Sequence, residues 1–184
     1  MTVPASWRAE AVRRARAVRL VVLDVDGVLT DGGLYLLEDG GEAKRFHVRD
    51  GQGIRSLIEA GIPVGWITAR QSKLVERRAR ELDISFLHQG VQRKWTLLDG
   101  ILGERRLPPE ACAYMGDDLV DLETLGRVGL AAAPADAHPE VLGAAHWIAA
   151  AAGGQGAVRE LADGILLHQG RWEAILAAKS HHGG

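Results

Sequence analysis

Asp24 and Asp26 stand two residues apart in the run V-V-L-D-V-D-G-V-L-T-D from Val21 to Asp31. Side chains two apart on a strand share a side. The spacing therefore predicts that both carboxylates leave the end of a buried strand together. Two like charges at such a place call for a neutralising ligand, and a divalent cation with a phosphate is the obvious candidate. On these residues alone, a plain strand end running into an Asp-Gly turn is the other reading.

Phosphate-ester hydrolysis needs a nucleophile, a proton donor and charge neutralisation. Asp24 can attack phosphorus and form an aspartyl-phosphate. Asp26 can protonate the leaving alcohol and then deprotonate the attacking water. Mg²⁺, a hard ion that takes carboxylates, phosphate and several waters, suits the charge. Asp24, Asp117 and a backbone carbonyl near Asp26 are its expected protein ligands. Thr68 can donate to a phosphoryl oxygen, and Lys94 can offset charge as a point cation. Asp118 or Asp121 is expected to orient Lys94 or to complete the metal shell. Each residue also has an ordinary role: a Thr at a strand end often caps a helix, and a lone lysine is usually solvated.

What must bring these residues together is a set of alternating strands and helices. After the first strand, Leu34 to Leu37 and Ala43 to Val48 read as extended around Glu38-Asp39-Gly40-Gly41, a hairpin signal. Asp50 is placed to cap a helix carrying Ile54, Leu57 and Ile58, with Gly61 at its end. Pro63 to Ile67, Ile84 to Leu87, Ala111 to Met115 and Val128 to Ala131 read as further strands. Between them lie helical periods through Leu74, Val75, Ala79 and Leu82, through Lys94 to Leu102, and through Leu119, Leu122 and Leu125. Helical stretches near Val158 to Leu167 and Trp172 to Lys179 close the chain. The pattern predicts an α/β fold: a three-layer, Rossmann-like parallel sheet with helices on both faces and a small β-hairpin insertion. Ligands in such sheets bind at the carboxyl ends of strands, where Asp24, Asp26, Thr68 and Asp117 all fall. The expected organisation is an N-terminal amphipathic helix over 1–18, one domain over 19–169 and a C-terminal tail over 170–184.

Composition excludes several classes. The 184 residues are 47% hydrophobic and 25% charged with a net charge of −2, so nothing points to nucleic acid. Cys112 is the single cysteine, which excludes an intrachain disulfide and fits a reducing cytoplasm. Trp7, Ala11, Ala15 and Val18 share one helix face beside Arg8, Arg13, Arg14, Arg16 and Arg19. That reads as an amphipathic surface helix, with an organellar transit peptide as the alternative. Val141 to Val158 carries no charge, but His146, Gln155 and three glycines break it, so it reads as helix end, short strand and glycine loop, not a membrane span. The glycine loop is either a flexible segment reaching a site or a turn before a helix. His181 and His182 are assigned no metal role.

The order and spacing of these motifs resemble the haloacid dehalogenase superfamily of phosphotransferases. D-x-D-G-V at Asp24 matches its first motif, Thr68 the second, Lys94 the third, and G-D-D-x-x-D from Gly116 to Asp121 the fourth. Within it, the chain resembles the family that acts on 3-deoxy-D-manno-octulosonate 8-phosphate. That likeness lies in F-H-V-R-D-G-Q-G-I-R from Phe46, I-T-A-R from Ile67, K-L-V-E-R-R from Lys73 and G-G-Q-G-A-V-R-E from Gly153. It implies a Mg²⁺-dependent phosphatase without a cap domain, with substrate held by Asp26, His47, Val48, Arg49, Asp50, Gly51, Arg55, Arg70, Arg78 and Lys94. Arginine forks suit a substrate that bears a carboxylate as well as a phosphate. The resemblance also implies a homotetramer, with hairpins like Leu34 to Val48 packed together and each site covered by a neighbouring subunit. Departures are Ala69 where many relatives have Gly, His47 for Asn and Gln155 for Arg. A phosphatase of a nine-carbon sialic-acid-type phosphate is a close alternative, though such relatives commonly carry Glu at the position of Arg70. A catalytically silent sugar-phosphate-binding or assembly domain is the non-enzymatic one.

Overall fold

In the computed structural model, residues 7–180 are described. The first six residues of the expected N-terminal unit and the last four of the tail, with His181 and His182, lie outside them. In chain order the elements are α1 (Ala9–Ala17), β1 (Leu20–Leu23), β2 (Tyr35–Leu36), β3 (Glu42–Ala43), α2 (Val48–Glu59), β4 (Val64–Ile67), α3 (Lys73–Glu81), β5 (Phe86–His88), α4 (Lys94–Glu104), β6 (Cys112–Met115), α5 (Leu122–Leu125), β7 (Leu130–Ala133), α6 (Pro139–Ala144), β8 (Trp147–Ile148), α7 (Ala157–His168) and α8 (Trp172–Ser180).

Six strands form one sheet in the order β5-β4-β1-β6-β7-β8, and every pairing is parallel. The chain builds outward from β1 in one direction through β4 and β5. It then returns to β6 and builds the other way. The order therefore reverses between β1 and β6, and such a reversal opens a crevice at the carboxyl ends of the strands.

Strand alternation sorts the core into two layers. Val21 and Leu23 of β1 join Trp66, Met115 and Ala132 under α1, α2, α3, α7 and α8. Leu20 and Val22 join Cys112, Tyr114 and Ala131 against α4, α5 and α6. Both faces of the sheet are thus covered, which is why its central strands β1, β4, β6 and β7 are fully buried and largely apolar. Trp7, Ala11, Ala15 and Val18 are all buried, so the apolar face of the first helix is spent on this core. Among the described residues no helix is long and apolar enough to cross a membrane.

The structure corrects four details. β1 stops at Leu23, and Val25 starts a turn in which its carbonyl accepts from Leu29 and Thr30. Strand alternation therefore does not set Asp26. The hairpin pairs only Tyr35 with Ala43 and Leu36 with Glu42, and Val48 already belongs to α2. Asp50 does not cap α2: the N-cap is His47, and Asp50 lies buried within the first turn. β5 and β7 each begin two residues later than expected; Gly129 is held by Pro109 O before β7 starts.

Candidate active site

Three strand exits meet at the crevice. The Asp24 N–H donates to Met115 O at 3.0 Å, which extends the β1–β6 ladder one residue past β1. Thr68 leaves β4 with its N–H on His88 O. Asp117 follows β6. Gly27, at φ +88°, allows the loop after β1 to lie against Asp117; a Cβ there would fall 2.0 Å from Asp117 Oδ2. Asp24, Asp26, Gly32, Thr68, Ala69, Arg70, Lys94, Asp117, Asp118 and Val120 line an open cleft of about 300 Å³.

Lys94 enters from the first residue of α4, on the face of the sheet towards which Leu20 and Val22 point. It is buried. Its Nζ lies 2.7 Å from Asp121 Oδ1 and 3.0 Å from Asp24 Oδ1. Burial alone would lower its pKa, but the two carboxylates outweigh burial and hold it above its ordinary value. The Asp24 pKa is also raised, in its case by burial, with Lys94 opposing the rise and Asp121 adding to it. Asp117 is raised to about 8, first by burial and then by Asp24 and Asp121. Burial and mutual repulsion disfavour ionisation of the two carboxylates side by side, and a bound cation would offset both.

The alternatives for the fourth motif separate cleanly. Asp121 is fully buried and takes four donors. Lys94 Nζ and the Tyr114 hydroxyl, at 2.6 Å, reach Oδ1; the N–H groups of Asp117 and Asp118 reach Oδ2. Asp24, Asp117 and Asp121 offer oxygens within 4.8 Å of one another, yet Asp121 has no lone pair to spare, so it orients Lys94 and does not fit a ligand role. Asp118 Oδ1 accepts the Leu119 N–H at 2.7 Å and so caps the turn that carries Asp121. Asp117 Oδ1 is different: it is buried with no partner. A buried carboxylate oxygen without a donor is costly, and a hard cation between Asp117 and Asp24 would satisfy it.

Of the expected substrate residues, Asp26, Arg70 and Lys94 line the cleft, whereas His47, Val48, Arg49, Gly51, Arg55 and Arg78 do not. Arg78 pairs with Glu81, and Arg55 lies near Asp83 and donates to Glu81 O. Asp50 is committed elsewhere. It is buried, and its carboxylate accepts from the Gly156 N–H at 3.3 Å and the Arg159 N–H at 2.8 Å, capping α7. The glycine loop lies behind the catalytic loop: the Gly154 N–H donates to Val28 O. Two residues went unnoticed in the sequence: Lys44, which forms an ion pair with Asp26, and Tyr114, which supports Asp121. Gly153, the first residue of the glycine loop, backs Gly27. Tyr114 had a signal, a hydroxyl in an otherwise apolar strand; Lys44, on a loop, had none.

Fold and site together define a hydrolase of the haloacid dehalogenase superfamily. A solved structure of a hydrolase of that superfamily (subfamily III A) from Legionella pneumophila covers 94% of this chain and 94% of its own, with TM-score 0.90 and 38% identity. The chain is 46% identical over 164 residues to the 3-deoxy-D-manno-octulosonate 8-phosphate phosphatase KdsC of Yersinia pestis, covering 89% of this chain and 88% of the relative. The structure of the same phosphatase from Moraxella catarrhalis, in complex with magnesium ion, phosphate ion and a KDO molecule, has TM-score 0.90 and 36% identity, covering 92% of this chain and 98% of that one. No family model matches. The chain belongs to the 3-deoxy-D-manno-octulosonate 8-phosphate phosphatase family.

Proposed function

We propose that the protein hydrolyses 3-deoxy-D-manno-octulosonate 8-phosphate to the free sugar acid and phosphate, in a Mg²⁺-dependent reaction that passes through an aspartyl-phosphate on Asp24. The observation that carries it is Asp117 Oδ1, buried without a partner beside the Asp24 carboxylate. Asp24, Asp117 and the backbone carbonyl at Asp26 would hold Mg²⁺, which neutralises charge shared between the carboxylates and the phosphoryl oxygens.

The chain's own residues divide the remaining work. Asp24 attacks phosphorus, forming an O–P bond as the ester O–P bond breaks. Asp26 gives its proton to the leaving sugar oxygen. It then takes a proton from the water that attacks phosphorus, and the Asp24–phosphoryl bond breaks. Lys94, held by Asp121, offsets negative charge at the phosphoryl group. Thr68 Oγ accepts the Arg70 N–H at 3.2 Å, so its own proton is free for a phosphoryl oxygen.

Arg70, on the cleft wall, supplies a cation for the sugar-acid carboxylate. Arg55, Arg78 and the residues His47, Val48 and Arg49 serve the site of an adjacent subunit in a homotetramer, while Asp50 keeps the cap on α7. Supporting that assembly, the cleft is open and the hairpin presents Leu34, Tyr35, Leu36 and Leu37 to solvent, Leu36 at 76% exposure. The product would supply lipopolysaccharide synthesis, in the cytoplasm.

The test is phosphate release from the octulosonate ester and from a nine-carbon sialic-acid-type phosphate, with Mg²⁺ and with chelator, for the native protein and Asp24→Asn. Preference for the eight-carbon ester, loss with chelator and a fall of about 10⁴-fold in Asp24→Asn are expected. Preference for the nine-carbon ester would overturn the substrate, and undiminished turnover in Asp24→Asn would overturn the covalent route.

A further inference from the structure

The nucleophile and the acid–base residue are fixed by different means. Asp24 is set by the β1–β6 ladder and by Lys94. Asp26 lies in the turn beyond the strand, and among the described residues no backbone N–H donates to its carboxylate. Two cations hold it instead. Lys44 pairs with Oδ1, and Arg70 Nε lies 3.9 Å from Oδ2.

The Lys44 side chain is covered although the residue as a whole is only partly buried. Its side chain is 2% exposed, and an ammonium so placed requires a counter-charge. Among the described residues Asp26 is its ion-pair partner. Lys44 comes from the return limb of the hairpin, just past β3. Two residues earlier, Glu42 accepts a hydrogen bond from Ser72 Oγ, and Ser72 caps α3 by accepting the Leu74 N–H at 3.2 Å. Glu42 and Lys44 thus fasten the hairpin to the body on either side of the cleft mouth.

We propose that Lys44 is a positioning residue for Asp26, and that through it the seating of the hairpin sets the acid–base carboxylate. This rests on the division of roles between Asp24 and Asp26 given above. Loss of Lys44 spares attack on an ester whose leaving group needs no proton and slows the steps in which Asp26 moves a proton. A generally weakened fold would slow both alike.

The experiment uses the full chain with Mg²⁺ and p-nitrophenyl phosphate, whose leaving group departs without a proton. Rapid mixing of Lys44→Met should give a burst of nitrophenolate near one per site, followed by a steady state roughly 10- to 100-fold slower than the native protein. Lys44→Arg, which keeps the charge, should recover most of the steady rate. Parallel loss of burst and steady state at an unchanged melting temperature would overturn the proposal, as would native turnover in Lys44→Met. If Lys44→Met does not fold, Glu42→Gln loosens the same limb and should show the same split in smaller measure; parallel loss there overturns the proposal too. Failure of the native protein to form any phosphoenzyme would instead overturn the covalent reading, and the inference with it.

Discussion

The Asp50 carboxylate accepts the Arg159 N–H at 2.8 Å across 109 residues of chain. This bond joins α2 to the first turn of α7, and the Gly156 N–H adds a second. Burial raises the Asp50 pKa, opposed by these backbone donors. Asp50→Ala should therefore destabilise the protein by about 2 kcal/mol, since two N–H groups, one of them buried and the other partly so, lose their acceptor. Asp50→Asn keeps one acceptor oxygen and should cost less. Urea unfolding of the two variants checks the order.

Gly153 constrains the catalytic loop from behind. A Cβ on Gly153 would lie 1.8 Å from Gly27 O, backbone against backbone. Gly153→Ala should cost about 1–3 kcal/mol and should lower turnover, because relief of the clash displaces Gly27 and with it Asp117. Thermal unfolding together with steady-state kinetics tests this; a variant with native stability and native rate would refute the tight packing.

Divalent metal should stabilise the protein more at high pH than at low. The folded Asp117 pKa is about 8 against an ordinary 3.8, and Asp24 is also raised. For carboxylates shifted upward, the folded state binds more protons than the unfolded chain between those values, so stability falls as pH rises through the window. Lys94, raised above 10.5, keeps its charge throughout it. A cation replaces the proton and removes the penalty. At a hundredfold excess over Kd near pH 8 the melting temperature should rise by roughly 5–10 °C, and clearly less at pH 5.5. Melts with Mg²⁺ and with chelator at both pH values give the comparison; an equal shift at both would count against the carboxylate cluster as the binding site.

How much of this was legible in the sequence depended on the range of the interaction. Asp24, Thr68 and Asp117 were readable because each follows a buried strand, and parallel strands bring their ends together whatever lies between. Lys94 was readable from its place in the motif order. Asp50 was misread because an acidic residue near a helix start looks the same whether it caps its own helix or another. The helix it caps begins more than a hundred residues later. Lys44 had no local signal at all, since its burial arises only when the hairpin folds back over the turn that carries Asp26.

Asp121 separates attraction from ligation at this site. With both oxygens filled by Lys94, Tyr114 and two backbone N–H groups, it contributes negative potential and no coordination vertex. A divalent ion held by Asp24 and Asp117 would be drawn in by more charge than touches it, and the rest of its coordination would be left to water and the substrate. Such a site would suit a hard cation that keeps several of its waters over one that demands a crowded protein cage. With so few protein ligands, occupancy would follow the free metal concentration around the protein.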